Sequence, residues 1–192
     1  MSHGSPLSIR RAAVIDATGE YRYVLYRWWC DEMACRWRVP SETFAVPVVP
    51  FVLWVMLNPS TADAEIDDPT IRRCIGFTRV WGYEMLAVVN LFARRCTDPK
   101  QLVGGDPVGP LNDTWIAQEA GQAARIIAAW GANEQVTRRD QSVKVILNDE
   151  AVCDRVEDLG RTKSGHPRHP LYVPADQWPE LHFLTRTWSG QR

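Results

Sequence analysis

Four short groups of residues carry the side chains able to do chemistry. Asn58-Pro59-Ser60-Thr61-Ala62-Asp63 directly follows an apolar run at 51–57, and Asp67-Asp68 comes four residues later. Asn90 falls in a second apolar stretch, 85–92, with Arg94-Arg95 just beyond it. His166, Arg168 and His169 lie in the loop LGRTKSGHPRHPLYVP. An amide such as Asn58 or Asn90 takes no proton at neutral pH, but it orients water or reads a hydrogen-bonding edge. A carboxylate such as Asp63 can serve as a general base or favour a developing positive centre. Histidine changes charge near neutrality, and the planar fork of arginine suits phosphate or carboxylate.

Each group also has a structural reading. Asn58-Pro59 could be a turn. Asp67-Asp68 reads as a helix cap with a spare charge, and Arg94-Arg95 as a solvated pair. Asn90, inside an apolar stretch, must find partners for its amide or read a ligand. His166 and His169 are three apart, but no third metal ligand is evident. Each precedes a proline, which holds it extended and favours a hydrogen-bonding role. The five cysteines are an odd number at irregular spacing, which predicts buried reduced thiols with no metal required.

These groups need elements to hold them. Residues 20–29 are aromatic and β-branched, DEMA follows, then CRWRV, which predicts an N-terminal β-hairpin over 20–39 behind a frayed segment 1–19. The uninterrupted apolar run at 51–57 is that of a strand covered on both faces. Asp68-Pro69 opens a helix, with a cap followed by proline in the first helical position, and Gly82 closes it. A second strand over 85–92, a Gly/Pro-rich loop, a helix from Asn112 or Asp113, a third strand over 126–130, a helix within 133–150 and a short fourth strand over 154–159 follow. Such alternation predicts a single domain: a three-layer α/β/α sandwich over 51–174 on a mainly parallel four-stranded sheet, with 175–192 as a C-terminal extension. Ligands of open α/β sheets bind beyond the carboxyl ends of the strands. All four groups fall at such ends, so they are expected to converge on one edge.

Composition narrows the partners. The 192 residues hold 22 Lys and Arg against 23 Asp and Glu, a formal charge of −1. Overall charge therefore attracts no nucleic acid, and only a local basic patch could do so. No apolar run reaches the roughly 18 residues of a membrane helix. The N-terminus lacks the pattern of a secretory signal. The expectation is a cytoplasmic protein with no membrane partner.

The words MLNPSTADAEIDDPTIRRC, VVNLFARRCTDP, DPVGPLND, AAWGA and GHPRHPLY, spread over about residues 20–174, resemble the bacterial and phage domain-of-unknown-function family numbered 1643. More distantly, their order is similar to the uracil-DNA glycosylase superfamily. Its first motif corresponds to Met56-Leu57-Asn58-Pro59-Ser60, its base-reading strand to VVNLFARR with Asn90, its third strand to IIAAWGAN and its terminal loop to His169-Pro170-Leu171-Tyr172. Met56 and Ser60 stand where that superfamily has glycines, and Leu171 where it has a phosphate-contacting serine. Cysteines for an iron–sulfur cluster are missing.

The resemblance implies a nucleobase-containing substrate, DNA or free nucleotide, and hydrolysis of an N-glycosidic bond without a cofactor. Asn58, Asp63 and His169 would be catalytic. Pro59, Ser60, Asp68, Asn90, Arg94, Arg95, His166 and Arg168 would bind substrate. Arg72 and Arg73 would add to the positive surface. Two other functions fit the same residues: a binding domain without chemistry, or an enzyme of free nucleotides in phage DNA modification or defence.

Overall fold

Among residues 8–31, 35–60, 66–96, 98, 102, 104–133 and 136–181, which the computed structural model describes, the chain forms eight strands and three α-helices. In order these are β1 (Arg10–Ile15), β2 (Arg22–Trp28), β3 (Trp37–Ser41), β4 (Phe44–Pro47), β5 (Val52–Met56), α1 (Pro69–Val80), β6 (Met85–Asn90), α2 (Asn112–Gln122), β7 (Arg125–Ala128), α3 (Val136–Leu147) and β8 (Val156–Asp158).

β5 is apolar throughout because neither of its faces meets water. Leu53 and Val55 pack into one layer, with Ile116 and Ala120 of α2 and Val143 and Leu147 of α3. Val52, Trp54 and Met56 pack into the opposite layer, with Ile71, Cys74 and Ile75 of α1. Alternate side chains of a strand point to opposite faces, so one strand feeds both layers. β6 and β7 divide the same way. Within the α1 layer, Trp54 stacks on Trp81 with ring centroids 5.5 Å apart. Its Nε1 donates to Thr78 Oγ1 at 3.1 Å, which satisfies the one polar group of a fully buried indole.

The main sheet has six strands in the order β1-β2-β6-β5-β7-β8. β6, β5, β7 and β8 are parallel, and β2 and β1 extend the sheet antiparallel beyond β6. The mixed α/β, mainly parallel character is as the sequence predicts. The expected four-stranded sheet is corrected to six. β1 was missed because RRAAVI buries only alternate positions, Ala12 and Val14, and offers no apolar run. The same strand replaces part of the expected fraying over 1–19.

The hairpin expected over 20–39 is corrected too. β2 pairs with β1 and β6, while β3 pairs with β4 in a separate two-stranded sheet. All seven residues of β2 are buried, as an interior strand requires. Tyr26 of β2 donates to Glu119 of α2 at 2.7 Å, and Arg38 of β3 pairs with the same carboxylate at 2.7 Å. That shared carboxylate ties the small sheet to the main body. No described helix is long and apolar enough to cross a membrane.

Candidate functional site

The parallel strands run in the order second, first, third, fourth, so the chain leaves β5 toward one side and returns on the other. Such a switch opens a crevice at the carboxyl ends of the strands. A cavity of about 610 Å³ lies there, within the size range of small-molecule sites. Its wall is built from the end of β5 and the segment after it (Met56, Leu57, Asn58, Ser60), the first turn of α1, Asn90 at the end of β6, Trp130 to Asn133 after β7, and the loop after β8. Arg22 joins them because β2 is antiparallel to β6, which brings the start of β2 to the same edge; its backbone N–H donates to Ala93 O at 2.9 Å.

α1 begins where the sequence predicts. Asp68 Oδ1 accepts from Ile71 N at 2.8 Å, Pro69 follows, and Ser60 Oγ donates to Asp68 Oδ2 at 3.0 Å. The neighbouring Asp67 turns away and accepts from the buried Arg27 Nε at 2.6 Å. The two aspartates therefore divide the work: one anchors the segment to β2, and the other caps the helix and faces the cavity.

Asn58 donates through Nδ2 to Cys96 O at 2.9 Å and Pro59 O at 3.1 Å, which pins the loop and leaves Oδ1 for a ligand. Asn90 is 1% exposed, and its Nδ2 has no hydrogen-bond partner among the described residues. A buried donor left unmade costs about 1–3 kcal/mol, so a ligand acceptor at this wall would relieve it.

His169 lies beside Gly131. At that glycine φ is +74°, and an added Cβ would stand 3.3 Å from His169 Cβ, so only glycine lets the two segments approach this closely. Leu171 N donates to His169 Nδ1 at 3.3 Å, which puts the proton of the neutral imidazole on Nε2. Burial lowers the His169 pKa below its ordinary value of 6.5, against the opposing pull of Asp68. At neutral pH the ring is therefore a neutral donor. A histidine NMR titration is expected to give a His169 midpoint below 6.5. The proton is then bound more readily in the unfolded chain, so the stability this group contributes above 6.5 is lost as the pH falls toward the folded midpoint. A midpoint at or above 6.5 would contradict the buried environment.

Arg22 is 4% exposed, and burial lowers its pKa to about 10, so it remains a cation. Arg168 is exposed at the cavity, and among the described residues its guanidinium has no ion-pair or hydrogen-bond partner. Cys96 also lines the wall, but burial raises its thiol pKa and keeps it protonated. Among the described residues no group of three or more His, Cys, Asp or Glu side chains could hold a metal ion.

Of the eleven residues nominated from sequence, Asn58, Ser60, Asp68, Asn90, Arg168 and His169 line this cavity. Pro59 does not; its carbonyl accepts from Cys96 N at 3.1 Å. Arg94 pairs with Glu20 at 2.9 Å, and Arg95 donates to Gly19 O at 3.1 Å, both outside the cavity lining. His166 Nδ1 stands 4.0 Å from the buried Asp140 carboxylate of α3 and is not part of the wall either. Asp63 lies outside the described residues. Sequence reasoning missed Arg22, Thr70, Asn133, Thr162 and Tyr172, which also line this cavity. A signal existed for Arg22: a cation inside an aromatic, β-branched strand needs a reason to be there.

Fold and cavity together define a mixed α/β protein with helices on both faces of a mainly parallel sheet and a crevice of mixed polar and apolar lining at the carboxyl edge of its parallel strands. The chain belongs to the family described as protein of unknown function (DUF1643), whose model matches residues 22–171. No curated protein and no solved structure matches it.

Proposed function

We propose that the cavity binds a nucleobase-containing substrate and hydrolyses its N-glycosidic bond, in the manner of the uracil-DNA glycosylases it distantly resembles. The observation that carries this reading is the unpartnered Asn90 Nδ2, buried in the same wall as a neutral His169 whose Nε2 bears the proton. Asn90 would read an acceptor on the base edge. As the C–N bond breaks, the base leaves with the electron pair and the sugar carbon gains positive charge. His169 Nε2–H stabilises the negative charge growing on the base. The Asp68 carboxylate favours the cationic sugar. Asn58 Oδ1 orients the water whose oxygen bonds to that carbon. The water's proton is released to solvent, and the base is protonated on departure.

A second reading is favoured by one observation. Both Asp68 oxygens already accept hydrogen bonds from within the fold, from Ile71 N and Ser60 Oγ. A carboxylate so engaged is held by the fold and turned less fully toward a sugar cation, which suits a binding domain without chemistry. One experiment separates the two. The purified protein is incubated with uracil-containing and modified oligonucleotides, nucleosides and nucleotides, and free base is measured by chromatography. Release of base supports hydrolysis. Binding without release supports the second reading.

A further inference from the structure

We infer that Cys30 and Cys35 form a modification site: a dithiol that closes to a disulfide on reaction with a small disulfide of the glutathione class and reopens when that pool is reduced. The first argument is contact. The two sulfurs are 3.3 Å apart. A disulfide bond is about 2 Å long, so closure shortens their separation by about 1 Å. The Cys35 thiol also donates to Asp31 O at 3.2 Å, which holds it on the side of its partner. The other three cysteines lie elsewhere: Cys74 in the α1 layer, Cys96 in the cavity wall and Cys153 beside Glu150.

The second argument is unequal exposure, which sets the order of events. Cys30 is buried in the core, and Cys35 is half-buried. Burial and the neighbouring Cys35 thiol push the Cys30 thiol pKa up to about 12, so Cys30 is a poor first nucleophile. Cys35 therefore attacks first. Its thiolate bonds to one sulfur of the small disulfide, whose S–S bond breaks, and one small thiolate leaves and takes up the proton that Cys35 lost. Cys30 Sγ then attacks Cys35 Sγ, the mixed disulfide breaks, and the second small thiolate leaves with the Cys30 proton. The pair gives up two electrons and two protons, and the small disulfide departs as two thiols.

The third argument is position. Cys30 comes just after β2 and Cys35 just before β3, so the bond ties the main sheet to the small one, beside the edge-to-face contact of Trp28 and Trp37. The closed loop spans only residues 30–35. A short loop gains less stability from a cross-link than a long one, which suits a bond that is made and broken. Trp28 pairs with Met85, at the opposite end of β6 from Asn90, so the site is remote from the cavity and the inference stands whatever the cavity binds.

The test reduces the full chain, removes the reductant and incubates the folded protein with mixtures of oxidised and reduced glutathione. Mass spectrometry and peptide mapping follow the five thiols. The parent should lose two of them as a single Cys30–Cys35 bond. Mixed disulfide should not accumulate, because a thiol held in contact outruns a second molecule from solution. Cys30→Ser should stop at a mixed disulfide on Cys35, and Cys35→Ser should leave Cys30 unmodified. The oxidised parent should melt about 5 °C above the reduced one, and dithiothreitol should restore all five thiols. A parent that keeps both thiols in excess oxidised glutathione, halts at the mixed disulfide or joins other cysteines would overturn the inference. So would an oxidised form that melts at or below the reduced one, since the fold would then have to distort to make the bond. Reaction of Cys30 in Cys35→Ser would overturn the order of attack.

Discussion

Replacing His169 by alanine is expected to lower the rate of base release by about 10²–10³. The size follows from the role. A hydrogen-bond donor aimed at charge that develops only in the transition state contributes to kcat and little to ground-state binding. His169 suits that role on three counts. It borders the cavity, its Nδ1 is occupied by Leu171 N–H, and burial keeps the ring neutral with the Nε2 proton available. Steady-state kinetics on the best substrate of the panel check it: kcat falls, KM moves little and the melting temperature holds. A variant whose kcat stays within about threefold of the parent would remove His169 from the mechanism.

The largest effect on stability is expected at a pair outside the cavity lining. Arg27 is fully buried on β2 and pairs through Nε with Asp67 at 2.6 Å; its Nη1 donates to Tyr26 O at 2.8 Å. Arg27→Met removes the cation and leaves Asp67, itself largely buried, with the longer 3.3 Å pair to Arg11 as its one ion pair among the described residues. Breaking one side of a buried pair costs about 3–5 kcal/mol, which in a domain of this size lowers the melting temperature by about 10 °C. Asp67 precedes the cap of α1, so the loss also loosens the segment carrying Asp68 into the cavity. Thermal denaturation measures the effect directly. A melting temperature within about 2 °C of the parent would mean that the pair behaves as a surface ion pair.

The parallel half of the fold was legible because burial on both faces forces apolar runs, and 51–57, 85–92 and 126–130 carry them. The start of α1 was legible because a cap followed by proline satisfies local chemistry wherever the chain goes. The strand-end rule led to Asn58, Asn90 and His169 for the same reason: it depends on chain direction, which the alternation of elements supplies. It could not lead to Arg22, which sits at the start of a strand that runs the other way. The direction of β2 is set by its pairing with β1 and β6, and pairing partners are tertiary facts. The same limit explains Arg94 and Arg95. Their positions at a strand end suited a ligand, yet Glu20, Gly19 and Gly104, distant in sequence or across a loop, receive their hydrogen bonds. The choice between His166 and His169 as cavity neighbours also depended on packing. The buried Asp140 on α3 lies near the first, and Gly131 admits the second.

In the proposed function the buried Asn90 amide meets a nucleobase. Its side-chain NH₂ signals can be assigned in a nitrogen-15 spectrum by their loss in Asn90→Ala, then followed while nucleotides of each common base are added. At least one nucleotide should move one of the two signals downfield in a saturable manner, as one N–H of Nδ2 gains an acceptor it lacks in the free protein. Signals that stay in place with every nucleotide at millimolar concentration would contradict the account.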